Sequence, residues 1–338
     1  HVSVVFYTST RWDFRSDAWD EAFVLRAAIS NYEKQVCDAS GKIIDNGLRL
    51  DDWCGDDLIH FVAGLQALRH FDLCIVNYVF LSKVLEYLPD STLKMIFTHD
   101  IMGERNSRMR SRGATEKAFY FSTSRAEEII GLNRADLVIA IQENEATYFS
   151  SVVESRVKVA ILPYLPENKT DSDSPSSNRL PVIGYFASGH GMNLVALQKF
   201  ASNYHHKNPV LIGGSICDHI SDLRLDSRYH PCGRVKKPDD FYSRCDLVIN
   251  PDEFESGFKV KSIEALSFGK PLICTRAASI GLNSMSPYHH ARDIHDLAIL
   301  LEQALNTDGE LARMANESIG IYEHLADTFD PVVFFERQ

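Results

Sequence analysis

The stretch Asp246–Thr275, DLVINPDEFESGFKVKSIEALSFGKPLICT, decides the fold. DLVINP is a short β-branched run, PDEFESG is a polar loop, and FKVKSIEALSF carries apolar residues at helical spacing over about three turns. Gly269 suits the left-handed position that closes a helix, and Pro271 forbids its continuation. LICT then supplies a second strand. A strand, a crossover helix and a parallel strand form the predicted unit. That order puts the loop bearing Glu255, Ser256 and Gly257 at the carboxyl edge of a parallel sheet, where open α/β sheets bind ligands.

Working outward, the same grammar repeats. VSVVFYT, FDLCIVNY, LKMIFTH, DLVIAI and VKVAILP read as strands in the first half, and PVIGYFA, PVLIGG, DLVINP and KPLICT in the second. They are continuously apolar, as strands covered on both faces are. DAWDEAFVLRAAISNYEKQV and NLVALQKFASNYHH read as helices between them. The alternation predicts doubly wound α/β architecture. Residues 166–180, PENKTDSDSPSSNRL, are polar and can bury almost nothing, so they read as a linker. Residues 1–165 and 181–338 then form two Rossmann-like domains, with a ligand cleft expected between the carboxyl ends of their strands. The last helix has the option of packing back on the first domain.

Composition narrows the function. The 338 residues carry 35 Lys and Arg against 46 Asp and Glu, a net charge of −11, which argues against a nucleic-acid binder. The seven cysteines form no CxxC or CxxH pair, which argues against structural zinc and for a reducing compartment. No apolar run approaches the ~18 residues of a membrane span. The first residues, HVSVVFYTST, read as a strand rather than a leader, and the start without Met suits one domain of a larger protein.

Three groups of residues carry candidate chemistry. Gly257 opens the helix of the deciding stretch, where backbone N–H groups and the helix dipole favour a phosphate. Lys259 and Lys261 add positive charge there, and Glu264 lies one turn beyond Lys261 on the same face, placed to accept both vicinal hydroxyls of a ribose. A lone glutamate in a first turn more often complements the helix dipole; the glycine loop and flanking strands favour the ligand role. In the first half, His99 and Asp100 end a strand and form a pair suited to proton transfer. Arg105, Arg108, Arg110 and Arg112 follow, either a solvated run or a grip on phosphate or carboxylate. Arg11 and Trp12, in the loop after the first strand, are candidates for an acceptor sugar, with Trp12 equally suited to capping the packing of the helix that follows.

ESGFKVKSIEALSFGKP resembles the donor-site signature of the retaining GT-B glycosyltransferases, the group that includes sucrose synthase and the phosphatidylinositol mannosyltransferases. GYFASGHGMN resembles the start of that family's second domain, VLIGG its next strand and CGRVKKPDDFYSRCDLVINP the stretch beside the base, while FDLCIVNYVFLS, FTHDIMGER and RADLVIAIQENEA are similar to its acceptor domain. The Gly257-x-x-x-Lys261-x-x-Glu264 spacing resembles a bacterial variation. Glu255 and Glu264 are separated by eight residues where members often have seven, and the Arg and Lys that commonly clamp the diphosphate are missing from GYFASGHGMN.

The resemblance implies a GT-B fold and transfer of a sugar, with retention, from a nucleotide-sugar to a glycan or lipid-linked acceptor in bacterial polysaccharide synthesis. It implies donor contacts from Ser188, Gly189, Asn193, Arg234, Val235, Glu255, Ser256, Gly257, Phe258, Lys259, Lys261 and Glu264. His99 would meet the transferred sugar, with Asp100 beside it, and Arg11, Trp12, Arg105 and Arg108 the acceptor. No metal and no other cofactor is expected, because fixed cations would neutralise the leaving diphosphate and Asp171-Ser172-Asp173 falls in the linker. The expected location is cytoplasmic, at or near the inner face of the membrane. A same-fold epimerase or hydrolase, and a degenerate GT-B module that binds glycans or serves as a scaffold, are the alternatives.

Overall fold

The structure, a computed structural model, describes residues 3–8, 20–26, 49–111, 122–170, 179–254, 259–330 and 334. The chain forms two compact units, His1–Ile161 and Leu162–Gln338.

In the first unit, β1 (Ser3–Thr8) pairs in parallel with β2 (Glu21–Arg26). A second parallel sheet runs in the order β3 (Leu73–Asn77), β4 (Leu93–Phe97), β5 (Leu137–Ala140) and β6 (Lys158–Ile161). Helices α1 (Asp56–Arg69), α2 (Arg105–Ser111), α3 (Arg125–Leu132) and α4 (Glu143–Val152) connect them. Val76, Ile96, Val138 and Ala140 face one core with Leu58, Leu132 and Phe149. Ser124 caps α3, its hydroxyl accepting the Glu127 N–H at 3.2 Å. Arg134 ties that core's rim together through Asp51 and Glu86, each at 2.7 Å.

The helix expected over residues 17–36 is corrected in part: Glu21–Arg26 is extended and registers residue for residue with β1. Phe23 sets its ring edge-on to Phe61 of α1 at 5.1 Å, so pairing and packing override the local helical pattern.

The second unit holds a five-stranded parallel sheet in the order β11-β10-β7-β8-β9. Its elements are β7 (Ile183–Phe186), α5 (Gly191–Asn203), β8 (Val210–Gly213), β9 (Tyr229–Gly233), α6 (Asp239–Tyr242), β10 (Leu247–Asn250), α7 (Val260–Ser267), β11 (Leu272–Cys274), α8 (Ile294–Asn306) and α9 (Glu310–Thr328). Leu247 and Ile249 face a core shared with α5 and α8, while Val248 between them faces another shared with α6, α7 and α9. Both faces are therefore covered, which explains the uninterrupted apolar strands.

Helix α7 ends as the sequence indicates. Gly269 has φ +60°, its N–H bonds the Leu266 carbonyl at 2.9 Å, and the Lys270 N–H bonds that of Ala265 at 3.0 Å. Strand β9 was not foreseen, because YHPCG contains Pro231 and no apolar run. An edge position tolerates that proline. After β6 the chain runs along the second unit: the Lys169 N–H donates to the Ser267 carbonyl at 2.8 Å, and the Tyr322 hydroxyl donates to that of Pro166. Among the described residues no helix is long and apolar enough to cross a membrane.

Candidate donor and acceptor sites

Strand order in the second sheet reverses between β7 and β10, so the loops leaving those two strands flank a topological switch point. The loop after β7 contains Ser188 and Gly189. The Gly189 N–H donates to Ser215 Oγ at 2.9 Å, and a Cβ there would lie 2.6 Å from the His219 ring and 3.0 Å from the Ser215 carbonyl. Close approach of two loops thus requires glycine at this position. Asn193, in the first turn of α5, donates to the Ser188 carbonyl and hydroxyl, both at 3.0 Å.

From the other side of the switch point comes Lys261 in α7. Its ammonium donates to Asn193 Oδ1 at 2.8 Å and lies 5.7 Å from the centre of the Tyr185 ring. Burial pushes Lys261 down to about 8, against the pull of Asp252. Lys259 is only 5% exposed, and its ammonium bonds Asp252 Oδ2 at 3.0 Å and the Phe254 carbonyl. Burial alone would raise Asp252, but Lys259 and Lys261 hold its carboxyl below the usual range. Thr275, which leaves β11, donates its hydroxyl to the Asp252 carbonyl. The loop after β10 is therefore pinned from two directions, with Lys259 serving the loop and Lys261 facing Asn193.

One turn after Lys261, Glu264 accepts the Tyr242 hydroxyl at 3.0 Å through Oε2. Tyr242 is fully buried and stacks on Phe268 at 4.4 Å, so the carboxylate hangs from a rigid post. Burial raises Glu264, and the Tyr242 bond works against that rise. Arg234 directs Nε and Nη2 at one oxygen of Asp218, at 3.0 and 2.5 Å, and Val235 packs against the core beneath. Glu255, Ser256, Gly257 and Phe258 lie outside the described residues.

The first unit gathers a second set at the ends of β3, β4 and β5. His99 has φ +61°, and its Nε2 lies 2.8 Å from Asn77 Oδ1. The ring sits 4.6 Å from that of Tyr78 and 4.9 Å from that of Phe97. Burial pushes His99 down, which favours the neutral imidazole. Buried Asp100 accepts Arg105 Nε at 2.7 Å and the Ile101 N–H at 2.8 Å. Arg108 donates to the carbonyls of Gly103, at 2.6 Å, and Ile101. From the opposite side Glu128 takes the Met102 N–H at 2.6 Å and the Tyr148 hydroxyl at 2.9 Å. His99, Asp100, Arg105 and Arg108 thus share one tightly bonded turn. Arg11, Trp12 and Arg112 lie outside the described residues.

Sequence reasoning missed Asp252, Tyr242, Asn77 and Gln142. Tyr242 stood inside a quoted motif, but packing rather than spacing brings it to Glu264. Among the described residues, no three His, Cys, Asp or Glu side chains converge as a metal set.

Residues 182–305 match the family described as glycosyl transferases group 1. No curated protein matches the chain in sequence. Among solved structures, HepE of Anabaena in complex with UDP superposes with a TM-score of 0.66 at 16% identity, over 99% of this chain and 98% of that one. Sucrose-phosphate synthase of Thermosynechococcus elongatus gives 0.69 at 14% identity, over 97% and 86%. The lipopolysaccharide outer core galactosyltransferase WaaB, in its apo form, gives 0.59 at 13%, with both chains covered in full. These likenesses establish a shared two-domain α/β fold across the whole chain.

Proposed function

We propose that this chain, a group 1 glycosyltransferase with the GT-B fold, moves a hexose from a nucleotide-sugar donor bound on its second unit to a glycan or lipid-linked acceptor. The observation that carries this reading is the Lys261–Asn193 bond across the switch point, with Glu264 held by Tyr242 one turn further on. Lys261 offers a positive charge to a diphosphate. Glu264 has one oxygen on Tyr242 and the other free to accept ribose hydroxyls. In this reading Lys259 positions the loop, and the 255–258 segment adds its backbone N–H groups to the phosphates.

The first unit takes the acceptor side. Neutral His99 meets the sugar being transferred, and Asp100, Arg105 and Arg108 hold the turn that presents it, with Arg11 and Trp12 nearer the acceptor. As the glycosidic bond to phosphate breaks, negative charge grows on the leaving diphosphate, where Lys261 stabilises it in a water-poor setting. We place transfer in bacterial surface polysaccharide or glycoconjugate synthesis on the strength of the resemblance and of the lipopolysaccharide galactosyltransferase WaaB as a structural relative, and assign retention of configuration on the resemblance alone.

Two results test the donor site. Glu264→Gln should keep the fold and weaken nucleotide-sugar binding about tenfold to a hundredfold, the ~1.5–3 kcal/mol of charge-assisted bonds. Donor affinity equal to wild type in calorimetry would remove Glu264 from the site. Transfer should also survive EDTA, because Lys261 supplies the counter-charge; loss of activity restored by Mg²⁺ or Mn²⁺ would assign that role to a metal.

A further inference from the structure

At the end of β5, Gln142 and Glu145 form a buried pair, 6% and 2% exposed. Gln142 Nε2 donates to Glu145 Oε1 at 3.0 Å. The other two atoms of the facing groups, Gln142 Oε1 and Glu145 Oε2, are both buried with no partner. Two acceptors cannot satisfy each other, and a buried orphan acceptor is costly. A single proton on Oε2 removes both orphans at once, because the carboxylic acid then donates to the amide oxygen. The pair becomes an acid–amide ring with two hydrogen bonds.

We propose that Glu145 is a positioning residue of the first unit, held as a neutral acid by its burial with Oε2 facing the orphaned Gln142 amide oxygen, and that its ionisation disturbs the turn at His99 and Asp100. The proposal rests on the reading of that turn as part of the acceptor side. Burial is the largest influence against ionisation of Glu145, and Asp100 is the nearby carboxylate that adds to it; the Gln142 amide N–H, the Ile141 N–H and the Arg108 cation favour the charged form. Both Arg108 and the Asp100 partner Arg105 are already engaged within the turn. From the other elements packed on α4, Arg125 and Glu128 of α3 face Tyr148 rather than Glu145, and Lys158 of β6 is exposed.

Burial pushes Glu145 up to about 7, in agreement with the missing proton. Above that pH a second negative charge arises beside Asp100. The ionised carboxylate then competes for Arg108, the cation that acts on it, against the carbonyls of Gly103 and Ile101. The Ile101 amide, bonded to Asp100 Oδ1, reports such a change directly.

The test follows the full chain by nuclear magnetic resonance across pH, reading the Glu145 carboxyl carbon and the Ile101 amide. In the wild type the carboxyl should titrate near pH 7 and the Ile101 amide should move with the same midpoint. Glu145→Gln preserves a two-bond ring as an amide pair, so its Ile101 amide should stay level through that range. Transfer activity should fall about tenfold per pH unit above the midpoint in the wild type, and less in the variant. A Glu145 carboxyl titrating in the ordinary range would overturn the proposal, as would an unchanged Ile101 transition in Glu145→Gln. If no variant transfers sugar at any pH while the resonances behave as stated, the transferase reading fails and the acid–amide pair stands.

Discussion

Replacing Lys261 with Met should lower kcat/KM for the nucleotide-sugar by about a hundredfold to a thousandfold, the loss seen when one preorganised donor to developing charge is removed. The ammonium has no substitute in the described site: Lys259 is committed to Asp252 and the Phe254 carbonyl, and Arg234 to Asp218. Lys261 is also pushed down to about 8, so the free enzyme loses this charge as pH rises. The sign is fixed by the group being a base. The Lys261 contribution to activity is full below that value and declines above it, on top of the Glu145 transition, until a bound diphosphate raises the ammonium again. Lys261→Arg should recover part of the rate and flatten the alkaline decline, because guanidinium keeps its charge. A Met variant within threefold of wild type would take Lys261 out of the reaction.

The largest loss of stability should come from Gly214→Ala. Gly214 has φ +96° and ψ −173°, a region open essentially to glycine alone, and a Cβ there would stand 2.3 Å from the Ala187 carbonyl oxygen. The obstacle is backbone, so no side chain can swing aside. A destabilisation on the order of 3 kcal/mol is expected from the strained dihedral and the forced shift together. Ala187 leads directly into Ser188 and Gly189, so the same change should weaken donor binding. Urea unfolding of the purified variant, followed by donor titration, checks both. A loss under about 0.5 kcal/mol would show that the two loops are not locked.

The nine strands read from the sequence were legible because each is a short, largely apolar run between turn-forming residues. Strand β9 was not, since an edge strand needs neither continuous apolar character nor a free N–H at every residue, and Pro231 exploits that freedom. The stretch 17–36 misled in its described part because its helical spacing is local, whereas the β1–β2 register depends on a partner elsewhere in the chain.

The candidate donor site divides the same way. Lys261 and Glu264 were readable from their spacing and their place after a strand, and Asn193 from the family resemblance of GYFASGHGMN. That Lys259 would turn inward to Asp252 depends on how the loop folds back, and spacing alone treats the two lysines as equals. Tyr242 is separated from Glu264 by a strand and a loop, so their bond belongs to packing rather than to a motif. In the first unit, the arginine run looked like a surface cluster, but Arg105 and Arg108 are spent on the turn that carries Asp100.

The central claim is that a nucleotide-sugar bound at Lys261 and Glu264 gives up its hexose to an acceptor. The direct measurement is transfer of isotope-labelled hexose from a panel of nucleotide-sugars to glycan and lipid-linked acceptors, with wild type and Lys261→Met in parallel. Labelled glycan should accumulate with wild type for at least one donor, at a rate reduced about a hundredfold or more in Lys261→Met. No labelled product from any donor, or equal rates from the two proteins, would contradict it.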